Sequence, residues 1–186
     1  MTAEVARRAF SVDEYHRMVV AGVLGENDHV ELLDGEVRQM SLIGPYHAAV
    51  VKRLMVLVNR QLPHTLLLSV QDPIQLPPYN EPQPDIAVLY ARDDFYAAAH
   101  PTPEDVLLVV EVADTSASYD RNEKLPRYAQ AAISEVWIVD LNALVIEQYT
   151  RPVMGQYRTK QPWEQGQTVE ATSVPLQLAV DQVLGV

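Results

Sequence analysis

Three residues carry the chemistry this sequence offers: Asp85, Glu111 and Lys124. Glu111 is the sharpest of them. It ends the apolar run Val106-Leu107-Leu108-Val109-Val110 and is followed by Val112-Ala113, so it falls in a stretch that reads as a central strand covered on both faces. A carboxylate there is costly to desolvate unless a cation or hydrogen-bond donors compensate it. Asp85 stands at the mouth of a second apolar strand, Ile86 to Tyr90, and Lys124 lies beyond both. Two carboxylates on adjacent inner strands can hold one hard divalent cation, with waters and substrate completing its shell. Such a cation polarises a phosphoryl oxygen and lowers the pKa of a bound water. A nearby lysine can position or help deprotonate that water, or face developing negative charge. These are the parts of metal-dependent phosphodiester hydrolysis. The spacing alone is weakly specific. Glu111 also reads as a strand-end residue reaching solvent or a salt bridge, and Lys124 as a solvated partner of Asp120 or Glu123.

Composition sets the frame. The chain has 186 residues and no internal repeat, which reads as one domain, 1–186, large enough for a real core. Its net charge of -11 repels nucleic acid overall and counts against tight non-specific DNA binding. It does not count against a site that holds cations between carboxylates and a polyanion. Zero cysteines exclude disulfides and thiolate metal sites. No segment reaches the ~18 consecutive apolar residues of a membrane span. Met1 to Arg8 carries charges without an apolar core, so it does not read as a secretory signal, and cytoplasm is the default compartment.

The elements that position the three residues follow from pattern. Ser11-Val12-Asp13-Glu14 is a capping box, flanked by Phe10 and Tyr15 at the staple positions, and its helix runs to about Gly22. Val30 to Val37 around Asp34-Gly35 reads as a two-residue hairpin. There Glu31 shares the face of Leu33 and reads as a surface strand residue. Gly44-Pro45 starts a second helix whose stripe is Val51, Leu54, Met55 and Val58, with His47 extending it as a packed, capping or site-neighbouring residue. Leu66 to Val70 and Ile74 to Leu76 read as strands, and Pro77 to Pro82 as a loop delivering the chain to Asp85. Ala91 to Glu104 is a polar loop with a helical turn around Phe95 to Ala99. Asp114 to Tyr119 is a turn.

After that turn comes a helix with the stripe Leu125, Tyr128, Ala129, Ala132 and Ile133, and then an inner strand, Val136 to Leu141. Strand, helix and strand from 106 to 141 predict a βαβ crossover inside a mixed sheet. Leu144 to Tyr149 with Gly155 to Arg158 reads as another hairpin, and Trp137 as core. Pro126 leaves two arrangements open: a capped helix from Asp120 with proline inside it, or a helix starting near Glu123 with proline in its first turn. The cluster Arg121, Lys124 and Arg127 reads as a solvated face and as the best local candidate for phosphate contact.

Phe10 to Tyr15, Val30 to Glu36, His47, Gln83-Pro84-Asp85, Val109 to Val112, Asp120-Arg121 through Lys124 to Tyr128, and Glu135 to Asp140 together resemble one bacterial family. It is a family of restriction-endonuclease-like proteins within the PD-(D/E)XK nuclease superfamily. The resemblance runs from about Phe10 to Tyr157. It implies an α/β, restriction-endonuclease-like core, a mixed central β-sheet flanked by helices, here with an additional N-terminal helix and β-hairpins. It implies an endonuclease hydrolysing nucleic-acid phosphodiesters, DNA first, with magnesium or manganese. Asp85 matches the motif's first acid and Glu111 its second. The lysine that usually follows two residues later is replaced by Ala113, and Lys124 is the matching residue from the next helix. Glu31 matches a further family acid at the metal. His47 and Tyr128 are carried as neighbours of the site.

A nuclease is therefore the leading reading. A catalytically weakened nuclease-fold protein that binds nucleic acid or a protein partner is the alternative, motivated by the net charge and by Ala113. A structural protein whose acids serve stability is the third. Symmetry favours a homodimer, so that two sites meet two strands.

Overall fold

The computed structural model describes residues 7–25 and 27–186. The stretch from Met1 to Arg8 read as lacking a signal pattern therefore lies outside the described residues except for its last two. Among the described residues no helix is long and apolar enough to cross a membrane.

A six-stranded mixed sheet forms the centre. Its strands, in chain order, are β3 (Leu66–Val70), β4 (Ile86–Tyr90), β5 (Val106–Ala113), β6 (Glu135–Asp140), β7 (Val145–Val153) and β8 (Gln156–Trp163), and they lie side by side in that order. All neighbours are antiparallel except β5 and β6. The parallel pair is the product of the βαβ crossover, because only a connection that leaves the sheet plane can return the chain in the same direction. A hairpin of β1 (Val30–Leu33) and β2 (Glu36–Gln39) and another of β9 (Thr168–Glu170) and β10 (Gln177–Ala179) stand outside the sheet.

The two sheet faces have separate cores. Ile86, Val88, Val110, Val112 and Trp137 pack under α2 (Pro45–Asn59) and α5 (Val180–Leu184). Ala87, Leu89, Val109, Ala113 and Ile138 pack with Tyr128 of α4 (Leu125–Gln130). Glu111 follows Val109 and precedes Ala113 by strand alternation, so it points to the α4 side.

The N-terminal helix α1 (Val12–Val20) begins at Ser11 with both capping-box bonds formed. The β1–β2 turn places Asp34 and Gly35 at positive φ, the conformation of the tight turn that matches strand twist. A Cβ on Gly35 would meet the Ala9 Cβ at 2.6 Å, so glycine is required where this hairpin docks on the chain preceding α1. That docking fixes Glu31.

Four sequence expectations need correction. Met55 is exposed, and Val50 takes its place beside Val51, Leu54 and Val58. At about 100° per residue, Met55 lies at the edge of the buried arc while Val50 and His47 fall within it. Ile74 to Leu76 is buried but not a strand. Pro73 and Pro77 bound it and only a single bridge, Leu76 to Asn80, forms. Phe95 and Tyr96 adopt positive φ, which ends any helical turn there. Ala132 is exposed at positive φ and terminates α4 rather than extending its stripe.

The segment before α4 is the most instructive departure. A short α turn, α3 (Ala117–Tyr119), runs into a π-helical stretch, Asp120–Lys124, and then directly into α4. Asp114 to Tyr119 is thus only in part a turn. The Leu125 N–H bonds to the Asp120 carbonyl across the wide turn. Pro126, with no N–H to give and a ring that crowds a regular helix from within, sits in the first turn of α4. Helix continues on both sides of the proline, and the wide turn absorbs the misfit. Such π stretches concentrate at functional sites.

Candidate active site

Residues from six separate parts of the chain meet at one end of the sheet. Asp85 immediately precedes β4, whose register pairs Ile86 with Val110. Continued by one residue, that register sets Asp85 beside Glu111. The Asp85 carboxylate accepts the Val112 amide at Oδ2 (2.9 Å) and the Gln71 side-chain amide at Oδ1 (3.1 Å). His47 Nε2, from the N-terminal turn of α2, lies 3.1 Å from Oδ2. Burial disfavours the His47 imidazolium, but the Asp85 carboxylate outweighs burial and raises its pKa. Among the described residues, His47 Nδ1 is buried without a hydrogen-bond partner.

Glu111 is only 3% exposed. Its Oε1 accepts the Tyr128 hydroxyl at 2.6 Å and lies 3.3 Å from Lys124 Nζ. Lys124 is 7% exposed and its ammonium also stands 3.2 Å from Glu31 Oε2. Glu31 is further held by the Tyr119 hydroxyl at Oε1 (3.0 Å) and the Gln83 amide at Oε2 (3.2 Å). The lysine is therefore not a solvated partner of Glu123. It is the central cation of a buried acidic cluster, reached from the face that Ala113 leaves open. Among the described residues, Glu111 Oε2 receives no hydrogen bond.

Desolvation pushes the Glu111 carboxyl up to about 8, against the pull of Lys124 and with further repulsion from Asp120 and Asp85. Burial also disfavours the Lys124 charge, yet Glu111, Glu31, Asp120 and Asp85 together raise its pKa. The two shifts are compatible. The acids around the ammonium favour the charged lysine, while burial and repulsion from Asp120 and Asp85 disfavour the charged form of Glu111.

From sequence Asp120 reads as a helix cap, as a partner of a solvated Lys124, and as part of the Asp120-Arg121 motif that the family resemblance rests on. It is buried, accepts the Ser116 hydroxyl at 2.7 Å, and has its pKa raised by burial. Its position four residues before Lys124 on a helix was the available signal, since that spacing places both on one face. Gln71, Gln83 and Tyr119 were not singled out. Gln71 adopts positive φ, and its carbonyl accepts the Gln83 side-chain amide. The two glutamines thus tie the donors of Asp85 and Glu31 together. No sequence pattern announces that link.

The Arg121, Lys124 and Arg127 cluster is not a solvated face. Arg121 binds Asp140 (2.5 Å) and Glu147 (2.8 Å), and Arg127 binds Asp34. Each cation is committed to carboxylates brought from distant hairpins and strands.

The acids floor a cleft of about 720 Å³. Its rim includes Met40, Leu42 and Ile43 from the β2–α2 connection, and its floor Glu31, His47, Asp85, Glu111, Asp120 and Lys124. The donor chemistry fits a hard divalent ion, which binds through one or two carboxylates and keeps several waters. Among the described residues no three His, Asp or Glu side chains are gathered to enclose a metal by themselves. Lys124 stands between Glu31 and Glu111 instead.

The sequence matches the model of the family Uma2, described as "Putative restriction endonuclease", over residues 12–181. No curated protein matches the chain. Among solved structures it resembles the crystal structure of "a putative nuclease belonging to DUF820" from Anabaena variabilis ATCC 29413. The TM-score is 0.75 at 14% identity, covering 95% of this chain and 98% of the other. At that identity the likeness establishes a shared fold. It agrees with the central mixed sheet flanked by helices.

Proposed function

The chain belongs to the Uma2 family, and from that premise we propose that it is a single-domain, cytoplasmic, metal-dependent endonuclease. It hydrolyses nucleic-acid phosphodiesters, DNA first, with magnesium or manganese. The observation that carries the reading is the convergence of Asp85, Glu111 and Glu31 with a buried Lys124 in one open cleft. Buried carboxylates around a charged lysine are expensive to keep for stability alone, and their exposure to a cleft favours chemistry.

Asp85 and Glu111 hold the cation, with Glu31 beside them. The bound cation supplies Lewis-acid polarisation of a phosphoryl oxygen and a more acidic water. The protein's own groups do the rest. Tyr128 fixes the rotamer of Glu111, while the Val112 amide, Gln71 and His47 fix that of Asp85. Lys124 Nζ places positive charge and N–H donors next to Glu111, where an attacking water is oriented and developing phosphoryl charge is met. A homodimer would bring two such sites to two strands.

The direct test is cleavage of supercoiled plasmid and of a labelled single strand with magnesium or manganese, comparing wild type with Asp85→Asn and Glu111→Gln. Metal-dependent cleavage that both substitutions abolish is expected. Equal cleavage by wild type and both variants would discard the assignment as contamination.

The alternative of a weakened nuclease that binds without cutting is supported by Ala113 and by the commitment of Arg121 and Arg127 to internal carboxylates. A gel shift in calcium without cleavage in magnesium would favour it.

A further inference from the structure

Lys124 is placed to do more than orient water. Its ammonium is buried and stands 3.2 Å from Glu31 and 3.3 Å from Glu111, with Asp120 and Asp85 contributing attraction. Glu31 is saturated by protein groups: Tyr119 and Gln83 donate to its two oxygens, and Lys124 pairs with the second. Glu111 has Oε1 occupied by Tyr128 and Lys124, while Oε2 receives no donor among the described residues. A divalent ion arriving at Glu111 therefore meets an acid already partnered by a resident cation. Two like charges within such a cluster repel strongly, because burial weakens screening.

We propose that Lys124 is the site's built-in counter-cation, which stands beside Glu31 and Glu111 in the metal-free protein and repels a divalent ion arriving there. The inference rests on the metal-dependent reading above. It assigns Lys124 a binding role distinct from any role in turnover: it sets metal affinity low and keeps the acidic cluster folded without metal. The four-carbon stem gives the ammonium room to withdraw from Glu111 while staying near Glu31 and Asp120. Removing the charge must then tighten metal binding, the reverse of what loss of a supporting residue would do.

The experiment is calorimetric titration of magnesium into wild type, Lys124→Met and Lys124→Arg. Lys124→Met, which keeps most of the side-chain volume and removes the charge, is expected to bind magnesium ~10-fold or more tightly than wild type. Lys124→Arg is expected to bind no more tightly than wild type. In Lys124→Ala, propylammonium, which matches the four side-chain atoms removed, is expected to weaken magnesium binding towards the wild-type value and to leave wild type unaffected. If Lys124→Met melts below the titration temperature, the readout becomes the melt. A magnesium-induced rise in Tm larger than that of wild type supports the repulsion; an equal or smaller rise overturns it. Wild type and Lys124→Met binding magnesium equally would overturn the counter-cation role and leave the metal-dependent reading standing. Neither protein binding magnesium or manganese would overturn both.

Discussion

The Tyr128 hydroxyl donates to Glu111 Oε1 at 2.6 Å, wholly inside the layer between α4 and the sheet. It is the shortest link between the crossover helix and the acid at its strand. Tyr128→Phe leaves the ring packing intact and removes this donor alone. The expected loss is about 1.5–3 kcal/mol where Glu111 is ionised and less where it is protonated. Urea unfolding should show a midpoint shift at unchanged m, larger at pH 9 than at pH 6. A loss independent of pH would mean that the hydroxyl serves packing and not the carboxylate.

Glu111 also sets a pH dependence. Its folded pKa is pushed up to about 8, above the unfolded value. Between those two values the folded state binds the extra proton, so the contribution of Glu111 to stability falls as pH rises. It is fully present below the ordinary carboxylate range and lost through pH 8. The difference in Tm between wild type and Glu111→Gln isolates this group, because the amide cannot ionise. Wild type should lose ground to Glu111→Gln from about pH 5 to 8 without metal, and magnesium should reverse the trend by releasing the proton. A Tm difference flat across that window would show that Lys124 holds Glu111 ionised throughout.

Much of this was legible before any coordinates. The run ending in Glu111 is a strand because five apolar β-formers cannot be left in water. The Asp34-Gly35 turn is readable because few residue pairs accept positive φ twice. The crossover follows from a helical period between two apolar runs. The acidic cluster was only half legible. Asp85, Glu111 and Lys124 mark themselves, but Tyr119 and Gln71 act through contacts that carry no sequence period. The partners of Arg121 were hidden for the same reason. Asp140 and Glu147 lie across a strand pair, and nothing local to Arg121 points to them. The chain takes the second arrangement Pro126 allows, with proline in the first turn of α4, but the π stretch before it was unreadable because no residue pattern marks a widened turn.

Lys124 also carries a turnover prediction, separate from metal affinity. A positioned donor or base is worth roughly 10²–10⁴-fold in rate. Lys124→Arg keeps the charge, so metal binding should stay near wild type. Its planar guanidinium cannot readily lose a proton and does not fit between Glu31 and Glu111 as a compact ammonium does. Turnover with saturating magnesium should fall by at least ~10²-fold. Wild-type turnover in Lys124→Arg would reduce the lysine to a charge, and loss of metal binding would point to a displaced Glu111.

The π turn yields the last prediction. Asn122 is exposed within Asp120–Lys124, and its side-chain amide donates to the Ser118 hydroxyl at the surface. Deleting Asn122 narrows the wide turn to a regular one in which the Asp120 carbonyl still meets the Leu125 N–H, so the residues on either side keep their faces. The helix then runs regularly through Pro126, whose ring crowds the preceding turn at a cost of about 3 kcal/mol. Urea unfolding of the deletion variant should show a loss of about that size, and Pro126→Ala in the same background should recover most of it. Asn122→Ala, which keeps the chain length, should resemble wild type. Wild-type stability in the deletion variant would show that the π turn does not serve to accommodate Pro126.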